Sequence, residues 1–449
     1  MNPVPNSPLV TTIKERCRVC YTCVRECPAK AIRIAEGQAE VVPERCIGCG
    51  NCVRVCSQRA KQVLSSVEPV KALLAGKQPV AAMLAPSFPA EFTECEAARL
   101  VGMLRALGFA IVSEVAFGAD LVAAEYRRLL AQNDGKRYIA TSCPAIVAYV
   151  ERYYPQLTDS LAPIVSPMVA AARALRTIHG ANLRTVFVGP CIAKKGEARS
   201  HNLPDEVDAA LTFLELRQLL QEKGVTPQAT GDSEFDPPLA GAGALFPIAR
   251  GLLQAAGIHE DLSAGDVVTA DGTKSFLEAV REFNEGHLDA RLLEVLCCNG
   301  CIMGAGMTTD SPLFGRRSVV SRYVRQVIAK RDTREWARQM KTLEGLDLRR
   351  RYTREDQRFP VPFIEEITQI MARMGKFTPE DELNCGACGY DSCREHAMAV
   401  FKGLAETEMC LPYAIEQLRK TIKELSSSHE QLASAQEALV QSEKLASMG

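Results

Sequence analysis

The sequence predicts an α/β domain of parallel sheets. It also predicts a small α+β cysteine-rich domain before that, and a small helical cysteine-rich domain and a coiled-coil helix after it. Three observations predict this. Between about Val80 and Val320, short apolar segments of strand character alternate with helical stretches. The spacing C-x2-C-x2-C-x3-C occurs twice within the first 60 residues. Beyond residue 413, apolar residues recur alternately three and four apart.

The repeated spacing is the most specific of the three. Cys17, Cys20, Cys23 and Cys27 are followed by Pro28, and Cys46, Cys49, Cys52 and Cys56 repeat the run 29 residues later. Between them, AIRIAEGQAEVV reads as a hairpin turning at Glu36-Gly37-Gln38. Three thiolates in one tight loop grip three irons of a cubane, and the fourth, on the helix leaving the loop, ligates the other cluster. Cluster one then takes Cys17, Cys20, Cys23 and Cys56, and cluster two takes Cys46, Cys49, Cys52 and Cys27. Zinc is the alternative, but it usually wants paired C-x2-C knuckles, and here each run has a third close cysteine. Residues 1–70 therefore read as a ferredoxin-like domain with two 4Fe-4S clusters, passing single electrons to or from a redox partner such as ferredoxin.

Composition bounds the rest. The chain has 449 residues, 53 basic and 54 acidic, so nothing in its charge points to nucleic acid. No apolar run reaches the ~18 residues of a membrane span. The start, MNPVPNSPLVTTIKERC, lacks the basic-then-apolar layout of a signal peptide. A cytoplasmic location is expected. Eighteen cysteines in a reducing compartment point to metal rather than disulfides.

In the central stretch the strand segments are PVAAML, RYIATS, RTVFVGP and LLEVLCC. Three run directly into cysteine: Cys143, Cys191, and the group Cys297, Cys298 and Cys301. Open α/β sheets place their sites at the carboxyl ends of strands. One such cysteine is a buried apolar residue as easily as a ligand. Three coincidences, each beside Pro or Gly, favour a shared metal site.

These residues resemble the catalytic domain of iron-only (di-iron) hydrogenases. The matching stretches are Ala85-Pro86-Ser87, Thr141-Ser142-Cys143-Pro144, Pro190-Cys191-Ile192-Ala193-Lys194 with Glu197, and Cys297-Cys298-Asn299-Gly300-Cys301 with Gly304. Weaker echoes are Phe117-Gly118-Ala119-Asp120-Leu121, Ser166-Pro167-Met168 and Gly243-Ala244-Leu245-Phe246. The resemblance covers a hydrogenase-like domain over 75–325. It implies a 4Fe-4S cluster on Cys143, Cys191, one of Cys297 or Cys298, and Cys301, the last bridging to a di-iron unit with CO and cyanide. It also implies that Lys194 hydrogen-bonds one cyanide and that Ala85, Pro86 and Ser87 contact another.

The departures carry as much weight. Hydrogenases read Thr-Ser-Cys-Cys-Pro, the first cysteine relaying protons; here Ser142 stands in that place, and a hydroxyl is a far poorer acid than a thiol. The next relay acid falls on Tyr126, with Glu125 beside it, and the methionines packing the di-iron unit fall on Gly189 and Leu296. In the last loop the family's C-x3-C spacing picks Cys297, whereas register from Glu294 picks Cys298, which is preferred. The implied catalytic positions are Ser142 and Lys194, with a cluster kept and fast proton delivery lost. The expected function is a redox or hydrogen sensor. The alternatives are a slow hydrogenase, and an electron-transfer scaffold without the di-iron unit.

Residues 326–376, rich in charge and broken by Phe359-Pro360-Val361-Pro362, read as a helical connector. At 377–412, Cys385, Cys388, Cys393 and Cys410 give C-x2-C-x4-C-x16-C, with Gly386 and Gly389 letting the loop wrap a cluster. This resembles the small 4Fe-4S domain of corrinoid iron–sulfur proteins; a zinc knuckle is the alternative. His396 is expected to be exposed, since four thiolates suffice.

Over 413–449, Ile415, Leu418, Ile422, Leu425, Leu432 and Leu439 form a heptad seam with His429 and Gln436 at intervening core positions. A homodimer through this helix is expected, with a helix packed on its own domain as the alternative. LASAQEALVQSEKLASMG resembles the helix entering the dimerisation domain of sensor histidine kinases. That implies a kinase or response-regulator output. No histidine box or ATP-binding motif lies within these residues, so no kinase activity is expected of them.

Overall fold

The computed structural model describes residues 8–132 and 134–448. The first seven residues of the segment weighed above as a signal peptide, and Gly449, lie outside them. Two compact units are present. The first comprises Met1–Arg16, Cys27–Ala31 and Val41–Arg358, and the second Cys17–Glu26, Ile32–Glu40 and Phe359–Gly449.

The first unit is built on two parallel sheets. One has strand order Ile111–Glu114, Val80–Leu84, Arg184–Gly189, Ala209–Thr212. The other has order Val267–Asp271, Leu292–Leu296, Tyr138–Ile139. Every residue of Val80–Leu84 and Leu292–Leu296 is buried, as parallel strands covered on both faces require. This explains why these segments read as continuous apolar runs. The chain leaves Val80–Leu84 toward one neighbour, Ile111–Glu114, and leaves Arg184–Gly189 toward the other, Ala209–Thr212. The two connections diverge there, opening a crevice beyond the carboxyl ends of the two middle strands.

The three weaker sequence echoes assemble into one packing device beside that sheet. Helix Val115–Ala131 lies against helix Pro167–His179 at Gly118, where a Cβ would come within 2.4 Å of Pro167 O and 2.6 Å of Ala171 N. Two residues on, Asp120 accepts the N–H groups of Gly241 and Gly243 at 2.6 Å each. Trp336 Nε1 donates to it at 3.2 Å. Burial pushes the Asp120 carboxyl up to about 6 against those hydrogen bonds. A Gly118→Ala variant is expected to lose at least about 1–3 kcal/mol, because the clash is with backbone and cannot be relieved by a rotamer; urea denaturation measures it.

The stretch 326–376 is not one connector. After helices Leu313–Lys330 and Thr333–Thr342, Leu343 and Leu348 enter the large core, and an extended segment to Arg358 stays with the first unit. Those two leucines anchor a segment whose charge otherwise suggests a solvated link.

In the second unit, strands Ile32–Ala35 and Gln38–Val41 form a hairpin whose turn residues, Glu36 and Gly37, have φ of 51° and 65°. Helix Ile364–Arg373 packs on helix Cys393–Phe401 through Ile367, Ile370, Met371 and Ala397. Helix Leu411–Ala446 then runs for 36 residues with none of them buried. Its first turn packs on its own domain through Tyr413, and beyond it Leu418, Ile422, Leu425, Leu432 and Leu439 are all more than half exposed.

Candidate metal centres

The two cysteine runs near the N-terminus have the same backbone. Val19 and Tyr21 have φ of 50° and 58°, and the residues 29 later, Gly48 and Gly50, have 69° and 73°. Lys30 and Arg59 match in the same way, at 42° and 50°. Left-handed backbone is unfavourable for a β-branched residue such as Val19. It persists where the surroundings over-determine it, as a loop turning its N–H groups toward a bound group does. Where glycine stands, it is needed: a Cβ on Gly50 would lie 2.6 Å from both Ala305 Cβ and Ile192 Cδ1. The Gly48 N–H donates to Cys46 Sγ at 3.4 Å and the Ala31 N–H to Cys27 Sγ at 3.2 Å.

Within the first unit Cys27, Cys46, Cys49 and Cys52 converge. Burial, then the neighbouring Cys27, Cys49 and Cys46, holds the Cys52 thiol well above its ordinary pKa. That is the quartet assigned to cluster two. Cys56 accepts the Ala60 N–H at 3.3 Å in the first unit. Cys17, Cys20 and Cys23 lie on the loop of the second unit, and their assignment with Cys56 to cluster one rests on the spacing.

The central residues follow the carboxyl ends of strands in the two parallel sheets. Ala85-Pro86-Ser87 follows strand Val80–Leu84, and Cys191 follows Arg184–Gly189. From the second sheet, Cys143 caps helix Pro144–Tyr153, and Cys298 and Cys301 follow Leu292–Leu296. The last loop is pinned to the Cys191 loop: Gly306 N donates to Pro190 O at 2.7 Å, and a Cβ on Gly304 would come within 2.6 Å of that oxygen. Burial pushes Cys191 up to about 11, with Cys143 adding to the shift, and Cys301 up to about 12, with Cys191 and Cys143 adding. Cys298 is raised by burial and then by Cys191, Cys143 and Cys301. Thiols held this way ionise only if a cation compensates them, which is what iron supplies.

The structure separates the two adjacent cysteines. Cys298 belongs with Cys143, Cys191 and Cys301. Cys297 is hydrogen-bonded to Cys49, which raises its own thiol pKa and lowers that of Cys49, with Cys298 and Cys143 also near it. Both border a small cavity with Cys49, Asn51, Arg54 and Ala305. Cys297 was among the candidate ligands; its neighbours place it between two quartets instead.

Lys194 Nζ pairs with Glu197 Oε2 at 2.7 Å, and Glu197 also accepts Arg350 Nη1 and Ser166 Oγ at 3.0 Å each. Burial disfavours the Glu197 carboxylate, but Lys194 and Arg350 outweigh it and hold its pKa below the ordinary range. Ser166 belongs to a quoted motif, whereas Arg350 gave no sequence signal, standing in a run of arginines within the expected connector. Ser87 Oγ is buried and without a hydrogen-bond partner among the described residues, whereas Ser142 Oγ is buried beside the Tyr126 hydroxyl. A buried hydroxyl without a partner is costly and fits a polar group bound against it. Tyr126, in the relay acid's place, is fully buried, its OH accepting from Thr141 N at 2.8 Å and lying 3.0 Å from Thr141 Oγ1. Burial raises its pKa to about 12 against those bonds. Gly189 is closed over by Phe187 and Ala85, which a Cβ would meet at 2.5 and 2.7 Å.

In the second unit, Cys385, Cys388, Cys393 and Cys410 line one small cavity. Asn384, Gly386 and Gly389 have φ of 46°, 68° and 90°, and Asn384 Oδ1 accepts the Cys393 N–H at 2.8 Å. His396 is 2% exposed, contrary to expectation: it stacks on Tyr390 at 5.6 Å and its Nε2 meets Glu406 O at 2.9 Å. Burial lowers its pKa, and the ring is engaged by Tyr390 and the Glu406 carbonyl.

Parallel α/β sheets carrying four cysteines and a buried lysine at a switch point define an iron–sulfur domain of hydrogenase type. The chain belongs to the family described as the C-terminal domain of the iron-only hydrogenase large subunit, whose model matches residues 78–305. A 4Fe-4S dicluster domain matches 9–57, and a putative Fe-S cluster domain matches 381–412. Iron hydrogenase 1 of Clostridium pasteurianum is 27% identical over 258 residues, 46% of this chain and 45% of that protein. The chain thus spans under half of that relative's length. The periplasmic Fe hydrogenase large subunit of Nitratidesulfovibrio vulgaris is 28% identical over 358 residues, 65% of this chain and 84% of its own. A probable cytosolic Fe-S cluster assembly factor of Drosophila mojavensis is 30% identical over 162 residues, 32% and 34% of the two chains. The structure of the FeFe-hydrogenase from Chlamydomonas reinhardtii shares the fold, with a TM-score of 0.52 at 17% identity over 65% of this chain and all of that one. No helix among the described residues is long and apolar enough to cross a membrane.

Proposed function

We propose that this chain is the sensory part of a hydrogenase-like redox or hydrogen sensor, located in the cytoplasm. The observation that carries this is the pairing of a kept cluster site with an altered relay. Cys143, Cys191, Cys298 and Cys301 would hold a 4Fe-4S cluster. By the resemblance, Ser87, Lys194 and Ser142 would offer two hydroxyls and a cation to a di-iron unit. That unit, when bound, supplies hydrogen binding and redox change. Ser142 would hold its proton too tightly to pass it on near neutral pH, and the Tyr126 hydroxyl is buried among Thr141 and Ser142. The exposed heptad seam of helix Leu411–Ala446 suits a parallel dimer that conveys the change to a kinase-type output. Electrons enter through the ferredoxin-like loops from a ferredoxin-class carrier.

The likeness to cluster assembly factors favours a second reading, an electron-transfer scaffold with cubanes alone. Infrared spectra of the matured protein decide between them. Bands from CO and cyanide are expected, and their absence would leave the scaffold. Hydrogen oxidation should be slow, and Ser142→Cys should raise it; turnover already at ordinary hydrogenase rates, or no gain in the variant, would overturn the relay argument.

A further inference from the structure

The second unit brings together two cluster-binding loops that lie more than 350 residues apart in sequence. Gly389 follows the ligand Cys388. A Cβ built there would lie 3.1 Å from Arg25 N, 3.2 Å from Tyr21 O and 3.2 Å from Val24 Cβ. Tyr21 follows Cys20, and Val24 follows Cys23. So the residue after a ligand in one loop touches the residues after two ligands in the other. Only glycine permits this, both for its φ of 90° and for the closeness of the backbones.

Three further bonds hold the contact. Arg25 Nη2, on the helix that carries Cys23, donates to Gly386 O at 3.1 Å, within the Cys385–Cys388 turn. The hairpin edge is covered by the segment leading to Cys410. Ile34 N donates to Leu404 O at 3.0 Å and Glu36 N to Glu406 Oε1 at 2.7 Å. One main-chain bond and one bond from a main-chain N–H to a carboxylate thus hold the strand edge, and Leu404 and Ala405 are buried.

We propose that this contact is an electron-transfer junction joining the Cys17–Cys23 loop to the C-terminal module. Gly389, Tyr21 and Val24 set the approach, and Arg25 fixes the register. With a cubane on each loop, one electron would pass from the reduced cubane on the first loop to the oxidised cubane that Cys385, Cys388, Cys393 and Cys410 would hold; no bond or proton would change hands. The electron's source is a ferredoxin-class carrier. The junction ends at the foot of the exposed helix, because Cys410 is its N-cap residue. The helix's positive end favours the added negative charge there. The inference rests on the iron–sulfur assignment of the two loops and not on the sensor reading, so the two can fail separately.

The test is low-temperature EPR of the full, cluster-loaded, dithionite-reduced chain, with iron counted per chain. Cys393→Ala, lacking the C-terminal cluster, gives the spectrum of the remaining clusters. The unaltered chain is expected to show extra splitting beyond that spectrum plus one isolated cubane signal. Gly389→Val, with its iron retained, is expected to lose that splitting. Should Gly389→Val fail to hold iron, Arg25→Ala and Glu406→Ala weaken the same contact from outside both cysteine turns and should reduce the splitting. A spectrum that is the plain sum of its parts, or splitting unchanged in all iron-replete variants, would overturn the junction.

Discussion

Cys298→Ala should cost the protein about 4 irons per chain, one whole cubane, while Cys297→Ala should cost none. The two side chains are adjacent in sequence and share Cys143 and Cys49 as neighbours, but only Cys297 is hydrogen-bonded to Cys49 and only Cys298 is also set beside Cys191 and Cys301. Cys298 shares its neighbourhood with Cys143, Cys191 and Cys301. Removing it takes a ligand from a buried quartet that no other described side chain completes. Cys297 meets Cys49, a ligand of cluster two by spacing. Its loss should leave the iron count unchanged and shift the reduction potential of cluster two, since a hydrogen bond to a ligating sulfur is one of the levers that sets it. Iron analysis with EPR-monitored redox titration measures both. If instead Cys297→Ala loses the irons and Cys298→Ala keeps them, the register argument from Glu294 is wrong, and the C-x3-C count to Cys301 was the better guide.

That pair also shows where sequence reading ran out. Spacing alone sufficed to read iron–sulfur domains at 17–56 and 385–410, because an iron–sulfur loop is a local object and its ligand intervals are its geometry. The four strand segments named from sequence are strands, because burial on both faces leaves an unbroken apolar run. Strands Ile111–Glu114, Ala209–Thr212 and Val267–Asp271 gave no such signal: each is short and ends on a polar residue. Arg350 was hidden for a different reason. It stands in a run of arginines at 349–351, and only the anchoring of Leu348 in the core turns this one toward Glu197. His396 was misjudged because the sequence could count thiolates but could not show Tyr390 and the Glu406 carbonyl closing round the ring.

Glu197→Ala should destabilise the first unit by about 3–5 kcal/mol, the cost of leaving buried charge without its partner. Two cations depend on this carboxylate: Lys194 at 2.7 Å and Arg350 at 3.0 Å, with side chains only 10% and 6% exposed. Glu197→Gln keeps the shape and the Ser166 hydrogen bond while removing the charge, so it should fall between the alanine variant and the unaltered protein. The pH dependence has a definite sign. A carboxylate whose folded pKa is depressed contributes stability that is present above its unfolded pKa of about 4.3 and is lost as pH falls through the folded value. The gap in stability between the unaltered protein and Glu197→Ala should therefore narrow in acid, and urea denaturation across that range measures it. A purely structural salt bridge predicts no more than this. If Glu197 also aims Lys194 at a bound anionic group, the iron-replete Glu197→Gln variant should shift the cyanide bands in the infrared as well. A loss of stability with unmoved bands would assign the pair to folding alone, and a shift in bands at nearly unchanged stability would assign it to the site.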